Sequence, residues 1–265
     1  MLTWIHRISV LSLLILPSSL FAEEPAKSKR PAEATYETRR LHDPDGIGKF
    51  YLGREIAHVM GHQGAGWLDR PEREKEENPT TLHELLKIRP GDAVADIGAG
   101  SGYHTFRMSK LVGPKGKVFA VEIQPEMLDI IRDKAKKLNV SNLELVMGTE
   151  NNPKLPDSSQ DMILLVDVYH EFAEPYEMTE AMVKSLKPGG RLVFVEFRLE
   201  DNKVPIKLIH KMTERQVIKE MAIFDDLRHK ETIKKLPWQH VIIFEKKGGP
   251  DAKLEPQAEP KPEPK

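Results

Sequence analysis

Short hydrophobic runs alternate with amphipathic segments from Asp92 to Lys246. Runs of apolar residues bounded by turn residues predict buried strands, whereas apolar residues that recur every three or four positions predict helices. The expected strands are 93–97, 117–123, 143–147, 161–168 and 191–197, and the expected helices are 102–111, 125–138, 175–186 and 213–224. Strands that alternate with helices predict an α/β fold with a mostly parallel sheet and helices on both faces.

Two details sharpen this assignment. Pro125 opens the second helix, and its apolar residues share one face: Met127, Leu128, Ile131, Ala135 and Leu138.

At the end of the core, residues 229–235 and 240–246 are expected to form two strands joined by the short turn Leu236, Pro237, Trp238 and Gln239. Because a turn this short joins only antiparallel strands, the last strand is expected to run against an otherwise parallel sheet.

The first 22 residues have the pattern of a secretory signal peptide. Arg7 precedes an apolar run over residues 8–16, and Ala22 stands before two glutamates, so cleavage is expected after Ala22. The apolar run is too short to span a bilayer comfortably, which makes a retained anchor the weaker alternative. We therefore expect export to the periplasm or the medium, with no stable membrane anchor after cleavage.

The remaining segments divide by composition. Residues 23–40 are rich in Lys, Glu, Pro and Ala and predict a flexible linker, and residues 248–265 repeat Glu-Pro and Lys-Pro and predict a disordered tail. Residues 41–81 are expected to form an N-terminal lid or substrate segment, and residues 82–247 the main domain. The chain has 265 residues, which suits one globular domain with polar ends.

Composition excludes several kinds of function. The net charge is −1, so the chain lacks the basic excess that a general nucleic-acid binder needs to neutralise phosphates. It contains no cysteine, which rules out disulfides, thiolate metal sites and a cysteine nucleophile.

A glycine-rich loop follows the first predicted strand of the sheet. Gly98, Gly100 and Gly102 lie between that strand and a helix, where they let a ligand approach the backbone and face the free N–H groups of a helix start. The ligand anion is either the pyrophosphate of a dinucleotide or the carboxylate of a methionine moiety. Dinucleotide sites require Gly-x-Gly-x-x-Gly, and position 103 is Tyr103, so the spacing disfavours a nicotinamide enzyme.

Glu122 ends the next predicted strand, about twenty residues after the glycine loop. A carboxylate at this position can accept hydrogen bonds from both hydroxyls of a ribose. A solvated glutamate at a strand end is the alternative for Glu122 alone, but the two features together favour a nucleoside-containing cofactor.

Three segments of the chain resemble the motifs of a known family. VADIGAGSGYHT looks like motif I of class I S-adenosylmethionine-dependent methyltransferases, VFAVEIQPEML looks like their second motif, and SLKPGGRLVFVEF is similar to the fifth-strand motif of quinone-biosynthesis methyltransferases. The resemblance covers residues 82–247. It implies a Rossmann-like seven-stranded sheet whose last strand is antiparallel, and S-adenosyl-L-methionine as the cofactor.

The resemblance also implies cofactor contacts. Asp96, Gly98, Gly100 and Gly102 are expected around the methionine part, Glu122 at the ribose and Ile123 against the adenine. Many members have Gly-Asp after the third strand, where this chain has Gly148, Thr149 and Glu150, so either Thr149 or Glu150 is expected near the adenine amino group.

The loop after the fourth strand faces the transferred methyl group in this family. Here it contains Asp167 and His170. His170 has a suitable ordinary pKa for a general base, although a histidine that only shapes the pocket is an equal alternative. Asp167 is expected to help form the cofactor pocket.

Residues on the acceptor side are expected in the N-terminal segment and at the start of the first helix. His58, His62 and Trp67 lie in a glycine-rich stretch, and Tyr103 and His104 follow the glycine loop. His58 and His62 would share a helix face, but the second residue of a His-Glu-x-x-His motif is absent, so no metal site is predicted.

These observations leave two functions open. The favoured one is an active methyltransferase with a small-molecule acceptor, and the alternative is a non-catalytic ligand-binding module that kept the methyltransferase fold. Within the family, GSGY also resembles protein isoaspartyl methyltransferases, whereas the fifth-strand motif does not.

Overall fold

A computed structural model describes residues 34–248 of the chain. The predicted signal peptide, the first part of the predicted linker and the predicted tail beyond residue 248 lie outside these residues. Within them, no helix is both long enough and apolar enough to cross a membrane.

The described chain begins with a small antiparallel sheet. Its strands are β1 (Tyr36–Thr38), β2 (Gly46–Tyr51) and β3 (Arg54–Ala57), paired in the order β1-β2-β3. The prediction of a flexible linker up to residue 40 was therefore wrong at its end, since β1 pairs with β2. Tyr51 and Ile56 are fully buried in the same hydrophobic cluster as residues of the main sheet, so this segment packs onto the core. Its role as a lid or substrate segment stays a prediction.

Three short helices connect the small sheet to the main one. They are α1 (Ala65–Leu68), α2 (Arg73–Glu76) and α3 (Pro79–Leu85). Pro79 at the first helical position and the side chain of Asn78, which accepts a hydrogen bond from the Thr81 amide at 3.0 Å, start α3.

The main sheet has seven strands and confirms the predicted topology. Its strands are β4 (Ala93–Ile97), β5 (Lys117–Glu122), β6 (Leu143–Met147), β7 (Gln160–Val166), β8 (Leu186–Phe197), β9 (Leu227–Ile233) and β10 (Gln239–Lys246). They lie in the order β6-β5-β4-β7-β8-β10-β9. Strand β10 is antiparallel to both of its neighbours, and the pairings from β6 to β8 are parallel.

Helices cover both faces of this sheet. They are α4 (Tyr103–Val112), α5 (Pro125–Leu138), α6 (Pro175–Ser185) and α7 (Glu214–Met221). One buried cluster joins α6 and α7 to one face of the sheet, and a second joins α3 and α4 to the other face. Alternate residues of the same strands belong to the two clusters, as expected for strands buried on both sides.

Some local predictions differ from the structure. The fifth strand was expected to begin at residue 191, but β8 begins at Leu186, so Lys187, Pro188, Gly189 and Gly190 belong to its first half. Leu138 was placed on the buried face of α5 and is 59% exposed. The Thr213 side chain accepts a hydrogen bond from the Gln216 amide at 3.0 Å and so caps the start of α7.

The strand order places a crevice at one edge of the sheet. The chain proceeds from β4 to β5 on one side and returns to β7 on the other, so the order reverses at β4. In open α/β sheets, ligands bind beyond the carboxyl ends of the strands at such a reversal. The loops after β4, β5 and β7 therefore define where the functional site is expected.

Candidate active site

A cavity of about 440 Å³ opens at this reversal point. Its walls include the glycine loop after β4, the end of β5, the loop after β7 and parts of the N-terminal segment. Its volume lies within the range of small-molecule sites. Nine of the residues predicted from the sequence line it, namely Trp67, Gly98, Gly100, Glu122, Ile123, Thr149, Glu150, Asp167 and His170.

The glycine loop forms one wall because it carries no side chains there. Gly98 has φ +65°, and a Cβ atom on it would lie 2.4 Å from Cγ2 of Val168. A Cβ atom on Gly100, at φ +54°, would lie 2.5 Å from Cδ1 of Leu68. Since real Cβ atoms do not approach this closely, only glycine lets the loop and its neighbours enclose the cavity.

The Glu122 carboxylate stands at the carboxyl end of β5 and holds the loop. Its Oε1 accepts a hydrogen bond from the Gly100 amide at 2.9 Å, and its Oε2 accepts one from the Ile123 amide at 2.9 Å. Burial raises the pKa of this carboxyl, against the effect of the backbone donors. Oε2 also accepts a longer hydrogen bond from the Gln124 amide at 3.3 Å. Oε1 therefore keeps the second lone pair with which Glu122 can accept a hydrogen bond from a ligand.

Asp167 provides an unsatisfied acceptor in the wall of the cavity. Its Oδ2 accepts a hydrogen bond from Nε2 of Gln239 at 2.5 Å, whereas its buried Oδ1 has no hydrogen-bond partner among residues 34–248. Burial raises its pKa well above the usual range, and the carboxylates of Glu77 and Glu196 add to this effect. A cationic donor at Oδ1 would satisfy the orphaned oxygen.

Arg73 is a cationic residue of the same cavity. It is 4% exposed, and its Nε forms an ion pair with Oε2 of Glu77 at 2.6 Å. Burial raises the pKa of Asp96 and of Asp167, and the positive charge of Arg73 partly offsets this rise at both carboxyls. A ligand carboxylate at this end would meet a fixed positive charge.

The cavity is more open near Ile123, Thr149 and Glu150. Ile123 is 37% exposed at its rim. Thr149 and Glu150 are also exposed, and the Thr149 hydroxyl donates to Oδ1 of Asn151 at 3.0 Å. Because that hydroxyl already serves the local turn, Glu150 is the freer of the two residues predicted to contact an adenine.

Two predicted cofactor residues lie behind the cavity wall. Asp96 accepts a hydrogen bond from the Thr105 hydroxyl at 2.6 Å, and burial raises its pKa to about 6. Gly102 has φ +82°, and a Cβ atom on it would lie 2.8 Å from the Phe106 ring, so this glycine serves close helix packing. Neither residue is among those that line the cavity, and their place around the methionine part of the cofactor stays a prediction.

The N-terminal segment covers one side of the cavity. Met60, Trp67 and Leu68 line it, and the Met60 carbonyl accepts a hydrogen bond from Nε2 of Gln124 at 3.0 Å. His58 and His62 were predicted beside the acceptor, but neither lines the cavity.

Tyr103 and His104 were also predicted on the acceptor side and lie elsewhere. The ring of Tyr103 contacts the guanidinium groups of Arg73 and Arg107. His104 is buried behind α4, where its Nδ1 lies 3.1 Å from Nε2 of His83. Helix α4 starts directly after the glycine loop, but its first two side chains point towards α2 and α3. Proximity to the loop in the sequence therefore did not place them at the cavity.

The buried pair of His83 and His104 gives a prediction for stability. Burial lowers the pKa of His83 from 6.5 to about 4 and that of His104 well below its usual value. The unfolded chain thus binds protons before the folded one as the pH falls, and stability is lost between pH 6.5 and pH 4. We expect His83 alone to remove about 2 kcal/mol of the free energy of unfolding between pH 7 and pH 5.

Urea unfolding at both pH values measures this effect. The variant His83→Gln keeps a hydrogen-bonding side chain without the titration. Its loss of stability over the same interval is expected to be smaller than that of the wild type by about 2 kcal/mol. Identical losses in the two proteins would contradict the assignment.

His170 is held at the floor of the cavity by two hydrogen bonds. Its Nδ1 lies 2.7 Å from Oε2 of Glu196, and its Nε2 lies 3.1 Å from Nδ1 of His210. Burial would lower the pKa of His170, but the carboxylates of Glu196 and Glu171 offset it, and the net pKa lies above the usual value. Both ring nitrogens of His170 already have partners. Its role as a general base stays a prediction.

A family model described as a methyltransferase domain matches residues 88–248. The chain belongs to the class I S-adenosylmethionine-dependent methyltransferases. The fold predicted from the motifs and the cavity at the end of β4 agree with this membership. S-adenosyl-L-methionine is accordingly the cofactor.

Two groups of curated relatives resemble this methyltransferase. A protein-L-isoaspartate O-methyltransferase of Ignicoccus hospitalis is 33% identical over 209 residues, which cover 77% of this chain and 90% of the relative. A ubiquinone/menaquinone biosynthesis C-methyltransferase UbiE of Pseudomonas savastanoi is 35% identical over 125 residues, which cover 47% of this chain and 49% of the relative. The chain thus matches about half the length of the quinone enzyme, and its likeness to the isoaspartate enzyme extends further than the fifth-strand motif indicated.

Solved structures support the fold. A SAM-dependent methyltransferase from Aquifex aeolicus superposes with a TM-score of 0.66 at 25% identity and covers 71% of this chain and 99% of its own. The [4+2]-cyclase SpnF superposes with a TM-score of 0.55 at 14% identity, over 64% of this chain and 81% of its own. The second likeness concerns the fold alone.

The residues of the cavity fit the cofactor of the family. Gly98 and Gly100 present backbone without side chains at the cavity wall. Oδ1 of Asp167, which has no hydrogen-bond partner among residues 34–248, would accept a hydrogen bond from the α-ammonium group of the cofactor. Glu122 would accept the ribose hydroxyls, and Arg73 would face the methionine carboxylate. This methyltransferase therefore has the groups that its cofactor requires.

Several residues that line the cavity were missed from the sequence, among them Arg73, Glu171 and His210, which lie outside the family motifs. Glu171 is adjacent to His170 in the sequence, which is a signal that could have been followed. Arg73 and His210 come from segments without regular periodicity, so only the fold brings them to the site.

Proposed function

We propose that this methyltransferase transfers the methyl group of S-adenosyl-L-methionine to a small-molecule acceptor that binds beside His170. The supporting observation is the continuity of the cavity. The same cavity is lined by Glu122, Ile123 and Asp167 and has an apolar part formed by Phe172, Met178, Phe197, Pro205 and Ile206. This apolar part, which we call the acceptor end, is beyond the residues assigned to the cofactor.

Methyl transfer makes modest demands on the protein. The sulfonium supplies the activated methyl group, and the enzyme must hold a nucleophile close to it, in line with the breaking C–S bond. The buried floor formed by His170 and its partner Glu196 provides fixed polar groups at the acceptor end. The apolar walls favour an acceptor with a hydrophobic or aromatic body and exclude water from the reacting atoms.

A bulky side chain at the acceptor end tests this division of the cavity. Ile206→Trp is expected to reduce methyl transfer about fivefold or more, because overpacking of this size costs at least about 1 kcal/mol, while cofactor affinity stays unchanged. Incubation of a cell extract with methyl-labelled cofactor measures transfer as label in the small-molecule fraction. Leu208→Trp is the matched control, since Leu208 lies in the same segment and is 70% exposed.

If Ile206→Trp and Leu208→Trp transfer label at the same rate, the acceptor does not bind at this end. A loss of cofactor affinity in Ile206→Trp would instead place Ile206 against the cofactor. Either result would refute the assignment of the acceptor end.

A protein carboxylate is a second candidate acceptor. It is favoured by the 33% identity to an isoaspartate methyltransferase over nine tenths of that relative. In the same labelling experiment, base-labile label in the protein fraction would support this acceptor, and label confined to small molecules would exclude it. Label in neither fraction would favour a non-catalytic binding module.

A further inference from the structure

Three metal-ligating side chains meet at the floor of the cavity. His170, Glu171 and His210 all line it, and their ligand atoms lie within 4.8 Å of one another. Nε2 of His170 lies 3.1 Å from Nδ1 of His210, and Oε1 of Glu171 lies 3.9 Å from the first nitrogen and 3.7 Å from the second. The three atoms therefore form a compact triangle.

The size of this triangle matches a coordination sphere. Bonds of about 2.0–2.2 Å in a tetrahedral site separate neighbouring ligand atoms by roughly 3.3–3.6 Å. The three distances at this site lie on both sides of that value. Small side-chain movements would equalise them around a central ion.

The histidine at the centre is oriented as a metal ligand requires. Oε2 of Glu196 lies 2.7 Å from Nδ1 of His170, and Oε1 of Glu196 accepts a hydrogen bond from the Tyr169 amide at 3.0 Å. Metal-bound histidines usually donate their second ring N–H to such a carboxylate, which fixes the tautomer and the direction of the ring. Here the arrangement aims Nε2 of His170 at the other two groups.

The other two ligands are also held in place. Oε2 of Glu171 accepts a hydrogen bond from the Met60 amide at 3.3 Å, which leaves Oε1 facing the histidines. His210 precedes the buried Lys211, whose Nζ donates to the Val204 carbonyl at 2.5 Å. These bonds fix the segment that carries His210 against the cavity.

We propose that His170, Glu171 and His210 bind one divalent first-row transition-metal ion, with an open coordination position towards the acceptor end. Two histidines and one carboxylate form the ligand set of several open metal sites, and Zn²⁺ accepts this set. The site was absent from the sequence predictions, in which the only metal candidates were His58 and His62.

The open position deepens the proposed function and rests on it. An acceptor with an ionisable O–H, N–H or S–H group would coordinate the ion through that atom, which lowers the pKa of the group and releases its proton to solvent. Its lone pair then forms the new bond to the methyl carbon. The C–S bond breaks with its electron pair on sulfur, which yields S-adenosylhomocysteine and the methylated acceptor.

Zn²⁺ titration of the metal-stripped full chain, without cofactor, tests the site itself. We expect saturable binding of one ion per chain. His210→Ala and Glu171→Gln should each weaken it about 100-fold, and Glu196→Gln should weaken it about 10- to 100-fold through the orientation of His170. His62→Ala is the matched control, because Nδ1 of His62 also lies near a carboxylate, at 3.8 Å from Glu126, but outside the cavity.

Circular dichroism of each variant checks that it is folded. The absence of 1:1 binding, or equal binding after both His210→Ala and Glu171→Gln, would overturn the site. Label transfer is then measured before and after chelation, where we expect loss and recovery with added Zn²⁺. Metal binding without any transfer would refute the proposed function but not the site, and full transfer by the metal-free chain would refute the role of the ion.

Discussion

Glu122→Ala is expected to weaken the binding of S-adenosyl-L-methionine about 100-fold or more. The carboxylate would lose its hydrogen bonds to two ribose hydroxyls, and each hydrogen bond to a charged group is worth about 1.5–3 kcal/mol. It would also lose the bond to the Gly100 amide that shapes the glycine loop. Isothermal titration calorimetry of the wild type and the variant measures the change.

Two further variants separate recognition from general damage. Glu126 lies four residues further along the chain, and its side chain is 53% exposed. Glu126→Ala should leave the affinity for S-adenosyl-L-methionine unchanged. Glu122→Gln keeps one acceptor oxygen and should show an intermediate loss. Equal affinities for the wild type and Glu122→Ala would remove Glu122 from the cofactor site.

Arg54→Met is expected to lower the free energy of unfolding by about 3–5 kcal/mol, because it leaves a buried carboxylate without its partner. Nε of Arg54 lies 2.8 Å from Oε1 of Glu220, and the side chains are 10% and 0% exposed. Burial disfavours the charge of Arg54, but Glu220 raises the pKa of the guanidinium above its usual value. Nη1 of Arg54 also donates to the His170 carbonyl at 3.1 Å, so this ion pair joins β3 to the active-site loop.

Chemical denaturation of three variants tests this ion pair. Arg39→Met, which breaks an exposed ion pair with Glu37, should cost less than about 1 kcal/mol. The double variant with Arg54→Met and Glu220→Leu should recover much of the loss, since it leaves no buried charge. A change below about 1 kcal/mol for Arg54→Met would show that Glu220 is satisfied without it.

The sequence predicted the main sheet well and the small sheet not at all. Strands β4, β5 and β7 are continuous apolar runs because both of their faces are buried, and this signal needs no knowledge of the rest of the chain. Strands β2 and β3 are short and contain Gly46, Gly48 and several charged residues, so no period is visible in them. Their hydrophobic residues are buried only by packing against the main sheet.

The site was predictable where it follows from topology. Gly98, Glu122 and Asp167 stand at or just after the carboxyl ends of adjacent strands, and parallel strands bring such residues together. Tyr103 and His104 were misplaced because proximity in the sequence does not give the direction of a side chain on a helix. Arg73 and His210 lie on very short helical segments far apart in the chain, so tertiary packing alone places them at the cavity.

A structure of the full chain with bound S-adenosylhomocysteine tests the central claim most directly. That claim is one cavity in which the cofactor occupies the end at Glu122 and Asp167, with its sulfur towards the acceptor end. We predict the ribose hydroxyls within hydrogen-bond distance of Glu122, the amino group at Oδ1 of Asp167 and the sulfur on the side of His170. A product molecule bound outside this cavity, or one with its ribose at His170, would contradict the account.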